Sequence, residues 1–386
     1  MEHYCKSPWM SLFVYDDGKV KSCCAGQWDW GNLKEQSLEE IINNPEVKKL
    51  KEDIINGVPN SYCSYCKGCE DNAGGSQRQY FDQFEMDTSK LYDADVFDLM
   101  MVDMRWNNLC NLNCAYCDTL WSTTWQKVKG IPISDLKTNH YASVLKRVKD
   151  SSDNMEAIIM GGGEPLLHSQ NVELLQSLDD DIHIDIMTNL SMNLDHTPVF
   201  DELAKKNDVN WCVSFENTGS QFEFVRHNAK WERLTENIGK IKEFSTHNKM
   251  IKPTYNLLCA TKLKELYKFA NEIDFEIHWQ TLIHPEQLCV SRFSSKVREL
   301  CIKSIDELFH SDEYKTYIER SGLSEHNNDF FNHLKKELAE QNHSDTESAD
   351  LKFRNWLKDY ESKYVKKHVK PFSELWPELD SIILTR

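Results

Sequence analysis

The sequence has no long apolar run. No segment approaches the roughly 18–20 consecutive apolar residues that cross a bilayer, and the mean hydropathy is −0.61. The first residues, MEHYCKSPW, lack the basic start and the apolar stretch of a secretory signal. We therefore expect a cytoplasmic protein that contacts no membrane and is kept in a reducing compartment.

Basic residues are also in short supply. Lys and Arg number 45 against 62 Asp and Glu, which gives a formal net charge of −17. Proteins that bind nucleic acid usually present a basic face to the phosphates, so we expect no nucleic-acid partner. The basic stretch near the end of the chain is interpreted as a solvated helix face, and it comprises Lys363, Lys366, Lys367, His368 and Lys370.

Cysteine, in contrast, is abundant, with thirteen residues. An odd number of cysteines in a reducing compartment argues against a disulfide framework. Nine of the thirteen lie before residue 118, a distribution that favours metal binding. The other four lie in apolar or helical surroundings and are predicted to be ordinary buried side chains, namely Cys212, Cys259, Cys289 and Cys301.

The pattern along the chain predicts three domains, at residues 1–95, 96–290 and 291–386. In the first, SLFVYDDGKVKSCC predicts a β-hairpin, and residues 38–55 read as helical. Two glycine-containing turns are expected, at Asp17-Gly18 and at Gly74-Gly75. The last domain is polar and helical, with predicted helices at 300–309, 330–338 and 356–369 and an exposed loop at 340–350.

The middle domain alternates short apolar runs with amphipathic segments. Such alternation predicts an α/β fold with a parallel sheet, either flat or rolled into a barrel. Six strand–helix units fit the available length better than eight. The predicted strands are 97–104, 157–160, 182–187, 211–215, 254–258 and 275–282.

Three cysteines follow the first of these strands, in the pattern Cys110-x3-Cys114-x2-Cys117. Three thiolates on one loop can hold three irons of a cubane and leave the fourth iron without a protein ligand, which a catalytic cluster needs. The competing interpretation is a zinc knuckle that lacks its fourth ligand. Position favours a ligand site, because α/β proteins place ligands at strand ends.

A glycine-rich turn follows the second strand of the middle domain, as Gly161-Gly162-Gly163-Glu164-Pro165. Glycines let the backbone approach a ligand closely. Free carbonyls and the Glu164 carboxylate are acceptors for an ammonium group. A tight strand–helix turn that binds no ligand would use the same residues. The turn indicates a ligand site because it lies about 45 residues after the cysteine loop.

CNLNCAYC and GGGEP together resemble the radical S-adenosylmethionine (SAM) superfamily, whose cluster loop carries an aromatic residue, here Tyr116. The resemblance implies a partial (β/α)6 TIM-like barrel, a SAM-binding 4Fe–4S cluster on Cys110, Cys114 and Cys117, and S-adenosyl-L-methionine as cofactor. Glu216 stands where the family usually has Asp, so its contact with SAM or substrate is left open. The residues implied to bind SAM are Tyr116, Gly162, Gly163, Glu164, Thr188, Asn189, Ser214, Glu216 and Arg226.

The N-terminal cysteines are similar to the SPASM or twitch module, which carries an auxiliary cluster on a hairpin, a short helix and a closing C-x2-C. This resemblance implies a small N-terminal twitch-type iron–sulfur domain. The four expected ligands of one auxiliary 4Fe–4S cluster are Cys5, Cys23, Cys63 and Cys66. Cys24 and Cys69 remain alternatives, and zinc is the competing metal.

The resemblance implies reductive cleavage of SAM to a 5′-deoxyadenosyl radical that abstracts a hydrogen atom from the substrate, with electrons supplied by a donor such as flavodoxin or ferredoxin. We expect a peptide (RiPP-like) substrate. The alternatives are a small molecule (a sugar, nucleoside or amino acid) and a non-catalytic zinc-binding protein.

No acid or base for the reaction is identified from the sequence. A structural role is favoured for each polar candidate near a strand end, namely Asp103, Arg105, Asp118, His168 and His278. Core packing is favoured for Trp121 and Trp125, which follow the cysteine loop.

Overall fold

A computed structural model of the chain describes residues 4–71, 76–87, 89–133, 141–340, 346–365 and 369–384. The contacts divide the chain into two compact units. The first comprises Met1–Leu109, Pro132–Met187 and His196–Asn210, and the second comprises Cys110–Ile131, Thr188–Asp195 and Trp211–Arg386. The three predicted domains stay a prediction, because each of these units is assembled from three separate segments of the sequence.

The strands of the described residues are β1 Ser11–Val14, β2 Lys19–Lys21, β3 Gly31–Asn32, β4 Met101–Met104, β5 Ala157–Met160, β6 His183–Thr188, β7 Asp208–Val213, β8 Asn248–Ile251, β9 Thr254–Tyr255, β10 Glu276–Ile277 and β11 Gln280–Thr281. The helices of the first unit are α1 Ser7–Met10, α2 Leu38–Ile42, α3 Pro45–Ile55, α4 Ser64–Asp71, α5 Gln77–Asp82, α7 Ala142–Asp150, α8 Gln170–Gln176 and α9 Pro198–Leu203. Those of the second are α6 Thr123–Val128, α10 Gly219–Val225, α11 Trp231–Lys242, α12 Leu263–Ile273, α13 Ser295–His310, α14 Asp312–Ser321, α15 Ser324–Glu340, α16 Thr346–Lys363, α17 Phe372–Leu375 and α18 Pro377–Ile383.

The first unit is built on a largely parallel sheet. Strands β6, β5, β4 and β1 lie side by side and run parallel, and β2 and β3 extend the sheet antiparallel. The predicted hairpin is confirmed as β1 and β2. The parallel pairing of β1 with β4, which the sequence did not indicate, adds the N-terminal hairpin to the sheet that carries the later strands.

Strand register gives this sheet two different faces. Val102, Ile158 and Ile184 are fully buried on one face, as expected for a parallel sheet that is covered by helices. The other face carries a row of registered positions, Phe13, Asp103, Ile159 and Asp185. This face is packed as well, since Phe13 and Asp103 are buried and Ile159 packs against a hydrophobic cluster, but it places two carboxylates in one row, which is unusual for a packed face.

The helix predicted over residues 38–55 is interrupted. It consists of α2 and α3, and the break falls at Asn43 and Asn44. Asn44 has extended backbone before Pro45, and its side chain accepts a hydrogen bond from the Glu46 N–H. Proline disfavours helical backbone in the residue before it, so Asn44 ends one helix and caps the next.

One predicted strand of the middle domain is mostly wrong. The strand expected at 254–258 is reduced to β9, and the longer strand of this region is β8, which begins six residues earlier. The reason is a local turn. The Asn256 side chain donates to the Thr254 carbonyl (2.8 Å) and accepts from the Leu258 N–H (2.8 Å), and such bonds compete with a strand ladder. Apolar character alone made Leu257 and Leu258 resemble strand residues.

The predicted helices at 300–309 and 330–338 lie within α13 and α15, and that at 356–369 overlaps α16. The loop expected at 340–350 is wrong at its end, because α16 begins at Thr346. Asp350 is buried there and accepts from the Ser294 N–H at the start of α13 (3.2 Å). Residues 341–345 lie outside the described residues, as do the Gly74-Gly75 turn and the basic residues 366–368.

The observed elements confirm the α/β class and the dominance of parallel pairing, and a partial (β/α)6 TIM-like barrel is consistent with them. In the part of the chain that the structure describes, no helix combines the length and the hydropathy of a membrane span.

Candidate functional site

The cysteine loop of the second unit is held by backbone and hydroxyl contacts. The Cys110 N–H donates to Thr123 Oγ1 (3.2 Å), and Thr124 Oγ1 donates to the Cys110 carbonyl (2.7 Å). The Ala115 N–H donates to the Val225 carbonyl (2.7 Å). These bonds hold the loop backbone at Cys110 and at Ala115. The cysteine thiols are therefore presented from a fixed backbone.

Trp125 has a defined role in this loop. Its side chain is buried, and Nε1 donates to the carbonyl of Cys114 (3.0 Å). Trp121, by contrast, is 41% exposed. The packing role expected for Trp125 therefore fits its surroundings, and Trp121 is the more accessible of the two tryptophans.

The thiols of the loop influence one another. Burial raises the pKa of Cys117 well above its usual value, and the neighbouring Cys114 and Cys110 raise it further. Burial also raises the pKa of Cys114 to about 11, while the Arg226 guanidinium opposes the rise. Cys117 thus interacts with both other thiols, and three thiols on one loop are a donor set that suits iron–sulfur ligation.

Tyr116 of the loop forms a polar triad with the buried side chains of Glu216 and Arg226. Glu216 Oε2 accepts from the Tyr116 hydroxyl (3.0 Å) and from Arg226 Nη2 (2.8 Å), and Arg226 Nη2 also contacts the Tyr116 hydroxyl. Glu216 and Arg226 are only 1% and 5% exposed. Glu216 Oε1 and Arg226 Nε have no hydrogen-bond partner within the described residues. A buried acceptor and donor of this kind are complementary to a polar ligand.

The segment at Thr188 and Asn189 approaches the same loop. Asn189 Nδ2 donates to Asn111 Oδ1 (3.0 Å) and lies 3.9 Å from the Cys110 sulfur. The Ser214 N–H donates to the Thr188 carbonyl (2.8 Å). Within the second unit, the structure thus places Asn189 against the first cysteine of the loop and links Ser214 to the neighbouring Thr188.

The glycine turn belongs to the first unit and packs on the residues just before the cysteine loop. The Glu164 N–H donates to the Leu109 carbonyl (2.8 Å), and the buried Glu164 carboxylate accepts from the Leu166 N–H (3.2 Å). Gly162 and Gly163 have positive φ, at 78° and 53°. A Cβ on Gly163 would lie 2.3 Å from the Leu109 carbonyl oxygen. The turn therefore requires glycine for both its conformation and its close approach.

Replacing Gly163 by alanine should destabilise the protein by about 2–5 kcal/mol, because the clash is with backbone and the φ is unfavourable for alanine. The matched control is Gly239→Ala, since Gly239 lies in α11 with nothing within 4 Å of the added Cβ. That variant should change stability by at most about 1 kcal/mol, in the stabilising direction. Chemical denaturation of both variants measures the difference, and equal stabilities would refute the close-packing account.

The remaining polar candidates occupy different surroundings. Asp103 is buried beside Arg105, whose Nε donates to it (3.2 Å), and Arg105 also stacks on Phe13 at 4.6 Å. Two strands away, Asp185 accepts from Asn210 Nδ2 (2.7 Å). His183, beside Asp185 and Asp208, has its pKa raised to about 9 by these carboxylates. One face of the first unit's sheet therefore carries a charged network.

Three further candidates do not join this network. His168 is buried, and burial lowers its pKa to about 4, so it is a neutral imidazole. Asp118 caps the loop at Leu120, whose N–H donates to it (2.8 Å). His278 lies 3.2 Å from Glu276 of β10. Of the three, Asp118 contacts the cysteine loop, since its carbonyl lies 3.8 Å from the Cys117 sulfur; the structural role favoured for each stays a prediction.

The N-terminal cysteines converge on one cavity of about 290 Å³ in the first unit. Its lining includes Cys5, Cys23, Cys63 and Cys66, and it does not include Cys24 or Cys69. The pKa of Cys63 is raised to about 12, mainly by burial and in addition by the neighbouring Cys23 and Cys66. Four thiols around a space much larger than one ion fit a cluster better than a single zinc.

Comparison with known proteins identifies the class. Residues 104–269 match the family model of the radical SAM superfamily, and residues 5–70 match that of the SPASM iron–sulfur cluster-binding domain. The chain therefore contains a radical SAM domain and, at its N-terminal side, a SPASM-type iron–sulfur cluster-binding domain. Its cofactors are accordingly 4Fe–4S clusters and SAM, and the alternative of a non-catalytic zinc-binding protein is set aside.

Individual relatives are more distant. Over 89 residues the chain is 36% identical to 7-carboxy-7-deazaguanine synthase of Clostridium acetobutylicum, which covers 22% of this chain and 36% of that protein. Among solved structures it is similar to native anSMEcpe with bound AdoMet (TM-score 0.42, 16% identity, 54% of this chain and 59% of that one) and to Streptococcus suis SuiB bound to S-adenosylmethionine (TM-score 0.38, 13% identity, 71% and 66%). The chain thus spans about a third of the curated relative and about three fifths of the first structure.

Several contacts of the site were not anticipated. No pattern in the sequence signals the pairing of Tyr116, Glu216 and Arg226, which lie up to 110 residues apart. The hydroxyls of Thr123 and Thr124 were also missed, although their position shortly after the cysteine loop was a usable signal.

Proposed function

We propose that the protein cleaves SAM reductively, uses the resulting radical to abstract a hydrogen atom from a peptide, and carries one auxiliary 4Fe–4S cluster. The observation that carries this proposal is the convergence of Cys5, Cys23, Cys63 and Cys66 on one cavity in a chain that also holds the three-cysteine loop. A chain that holds a fully ligated cluster in addition to an open one suits oxidative chemistry on a radical.

In this proposal Cys110, Cys114 and Cys117 hold three irons of the SAM-binding cluster. When bound, the cluster and SAM together supply the 5′-deoxyadenosyl radical. The residues of the second unit proposed to line SAM are the triad of Tyr116, Glu216 and Arg226 and the segment of Thr188, Asn189 and Ser214. Glu216 Oε1 and Arg226 Nε supply one acceptor and one donor.

The auxiliary site is proposed to receive an electron. With four cysteine ligands no iron is left for the substrate, so its use is electron transfer. A cluster held by Cys5, Cys23, Cys63 and Cys66 would supply a one-electron acceptor for a substrate radical that loses one proton and one electron, and an external carrier of the flavodoxin or ferredoxin class would take up that electron. Spectra showing that substrate ligates the auxiliary cluster would contradict this role.

The charged face of the first unit's sheet is the proposed substrate-facing surface. Asp103, Arg105 and Asp185 lie there in one region, with Ile159 between the two carboxylates. Such groups hydrogen-bond to amides and charged side chains. A peptide offers both, and the SPASM-type domain supports the same class of substrate.

The test is incubation of the anaerobically reconstituted protein with SAM and dithionite, followed by mass spectrometry. Short peptides encoded beside the gene form one arm, and sugars, nucleosides and amino acids form the other. We expect 5′-deoxyadenosine in both arms and a mass change only in a peptide. A changed metabolite with unchanged peptides would refute the peptide assignment and leave the SAM chemistry intact.

A small-molecule substrate is the second candidate function. The identity to 7-carboxy-7-deazaguanine synthase over 89 residues favours it. The metabolite arm of the same experiment decides between the two candidates.

A further inference from the structure

A buried chain of hydroxyl groups leads to the auxiliary cavity. The sulfur of Cys5 lies 3.4 Å from Ser7 Oγ, Ser7 Oγ lies 3.0 Å from Ser22 Oγ, and Ser22 Oγ lies 3.0 Å from the Tyr62 hydroxyl. The three hydroxyl residues are at most 2% exposed. The chain thus joins three separate segments of sequence at one cysteine that lines the cavity.

The far end of the chain is anchored by backbone. The Ser22 N–H donates to the Tyr62 hydroxyl oxygen (2.9 Å), so that oxygen is an acceptor there and its own proton is available to Ser22 Oγ. Gly26 allows this placement, because a Cβ on Gly26 would lie 2.3 Å from the Tyr62 ring. Trp28 packs against the same ring edge-to-face at 4.8 Å. The Tyr62 hydroxyl is therefore fixed in position.

Ligation of a metal sets the direction of the whole chain. A cysteine that binds iron is a thiolate and can only accept a hydrogen bond. The Ser7 hydroxyl, which also interacts with Cys23, can then donate to the Cys5 sulfur, with Ser22 donating to Ser7 and Tyr62 to Ser22. Each hydroxyl donates once and accepts once in this arrangement, so its bonds reinforce one another.

We propose that Ser7, Ser22 and Tyr62 form a hydrogen-bond relay that raises the reduction potential of the auxiliary cluster through the Cys5 sulfur. This inference rests on the proposed auxiliary cluster. A donor to a ligand sulfur stabilises the reduced, more negative cluster more than the oxidised one. The three residues are positioning residues that make the cluster a better electron acceptor.

The experiment is an EPR-monitored redox titration of the full-length chain in which Cys110, Cys114 and Cys117 are replaced by alanine, so that only the auxiliary signal remains. Into this background we place Ser7→Ala, Tyr62→Phe and, as a control, Ser64→Ala. Ser64 lines the same cavity but is exposed. At a fixed potential we expect Ser7→Ala to lower the ratio of reduced to oxidised cluster by about tenfold, which is 59 mV for one electron. Tyr62→Phe should produce a smaller shift in the same direction, and Ser64→Ala should produce none.

The outcomes separate the two proposals. Full iron content with unshifted potentials in Ser7→Ala and Tyr62→Phe would overturn the relay while leaving the auxiliary cluster in place. If Ser7→Ala does not hold iron, the shift in Tyr62→Phe decides, since that change removes one distant hydroxyl and keeps the ring. A background protein without any 4Fe–4S signal would instead refute the auxiliary cluster, and with it the proposed function.

Discussion

Replacing Cys114 by alanine should reduce the formation of 5′-deoxyadenosine to the level found without reductant. Cys114 is a buried thiol of the three-cysteine loop, and its loss leaves the loop with two ligands. Iron content should fall from about eight to about four per chain, because one cubane of four irons is lost. Iron analysis and chromatography of the SAM cleavage products measure the two effects.

Two cysteine variants serve as controls for this prediction. Cys301→Ala removes a fully buried thiol of α13 and should retain both the iron and the SAM cleavage. Cys66→Ala, at the auxiliary cavity, should lower iron to about four per chain yet still yield 5′-deoxyadenosine. Undiminished SAM cleavage by Cys114→Ala would remove the loop from the catalytic site.

Arg226→Met should have the second large effect. Arg226 is buried and bonded to the buried Glu216 carboxylate, so its removal leaves an unpaired charge inside the protein. Breaking a buried pair from one side costs about 3–5 kcal/mol. We also expect a strong loss of SAM cleavage, because the variant removes a donor proposed to face SAM. Denaturation curves and product chromatography are the two measurements.

The buried pair gives this prediction an internal test. Adding Glu216→Gln to Arg226→Met removes the unpaired charge, so the double variant should recover part of the lost stability without recovering SAM cleavage. Arg233→Met is the matched control, since Arg233 pairs with Glu236 on the exposed side of α11 (2.7 Å) and should cost at most about 1 kcal/mol. Additive losses in the double variant would show that Glu216 and Arg226 do not act as a pair.

The cysteine loop and its class were predictable because their signals are local. Cys110, Cys114 and Cys117 lie within eight residues. The glycine turn directly follows a strand that its apolar residues predict. Thiolate spacing and positive φ are properties of short segments, so no tertiary information was needed. The same holds for the N-terminal hairpin, whose Asp-Asp-Gly turn specifies its own geometry.

Errors arose where a single polar side chain redirected the backbone. Asn256 turned a predicted strand into a turn by bonding to Thr254 and Leu258. Asp350 lies in a stretch that reads as a polar loop, yet it is buried as the cap of another helix. In both cases the deciding bond depends on one residue's surroundings and not on average polarity.

The contacts that define the site depend on distant pairs. In the sequence, Glu216 is a departure from the Asp that is usual at this position of the family. Its bonds to Arg226 and Tyr116 give it a physical role, and only the structure shows them. Cys23 and Cys24 are neighbours with the same chemistry, and only the fold shows that Cys23 lines the cavity and Cys24 does not. Sequence spacing has no means of ranking such neighbours.

The central claim is that one chain holds two clusters of different kinds, one open to SAM and one closed by four cysteines. EPR of the dithionite-reduced protein before and after addition of SAM tests it most directly. We predict two overlapping cluster signals, of which one changes on addition of SAM and the other, lost in Cys66→Ala, does not. A single signal, or a change in the signal that Cys66→Ala removes, would contradict the account.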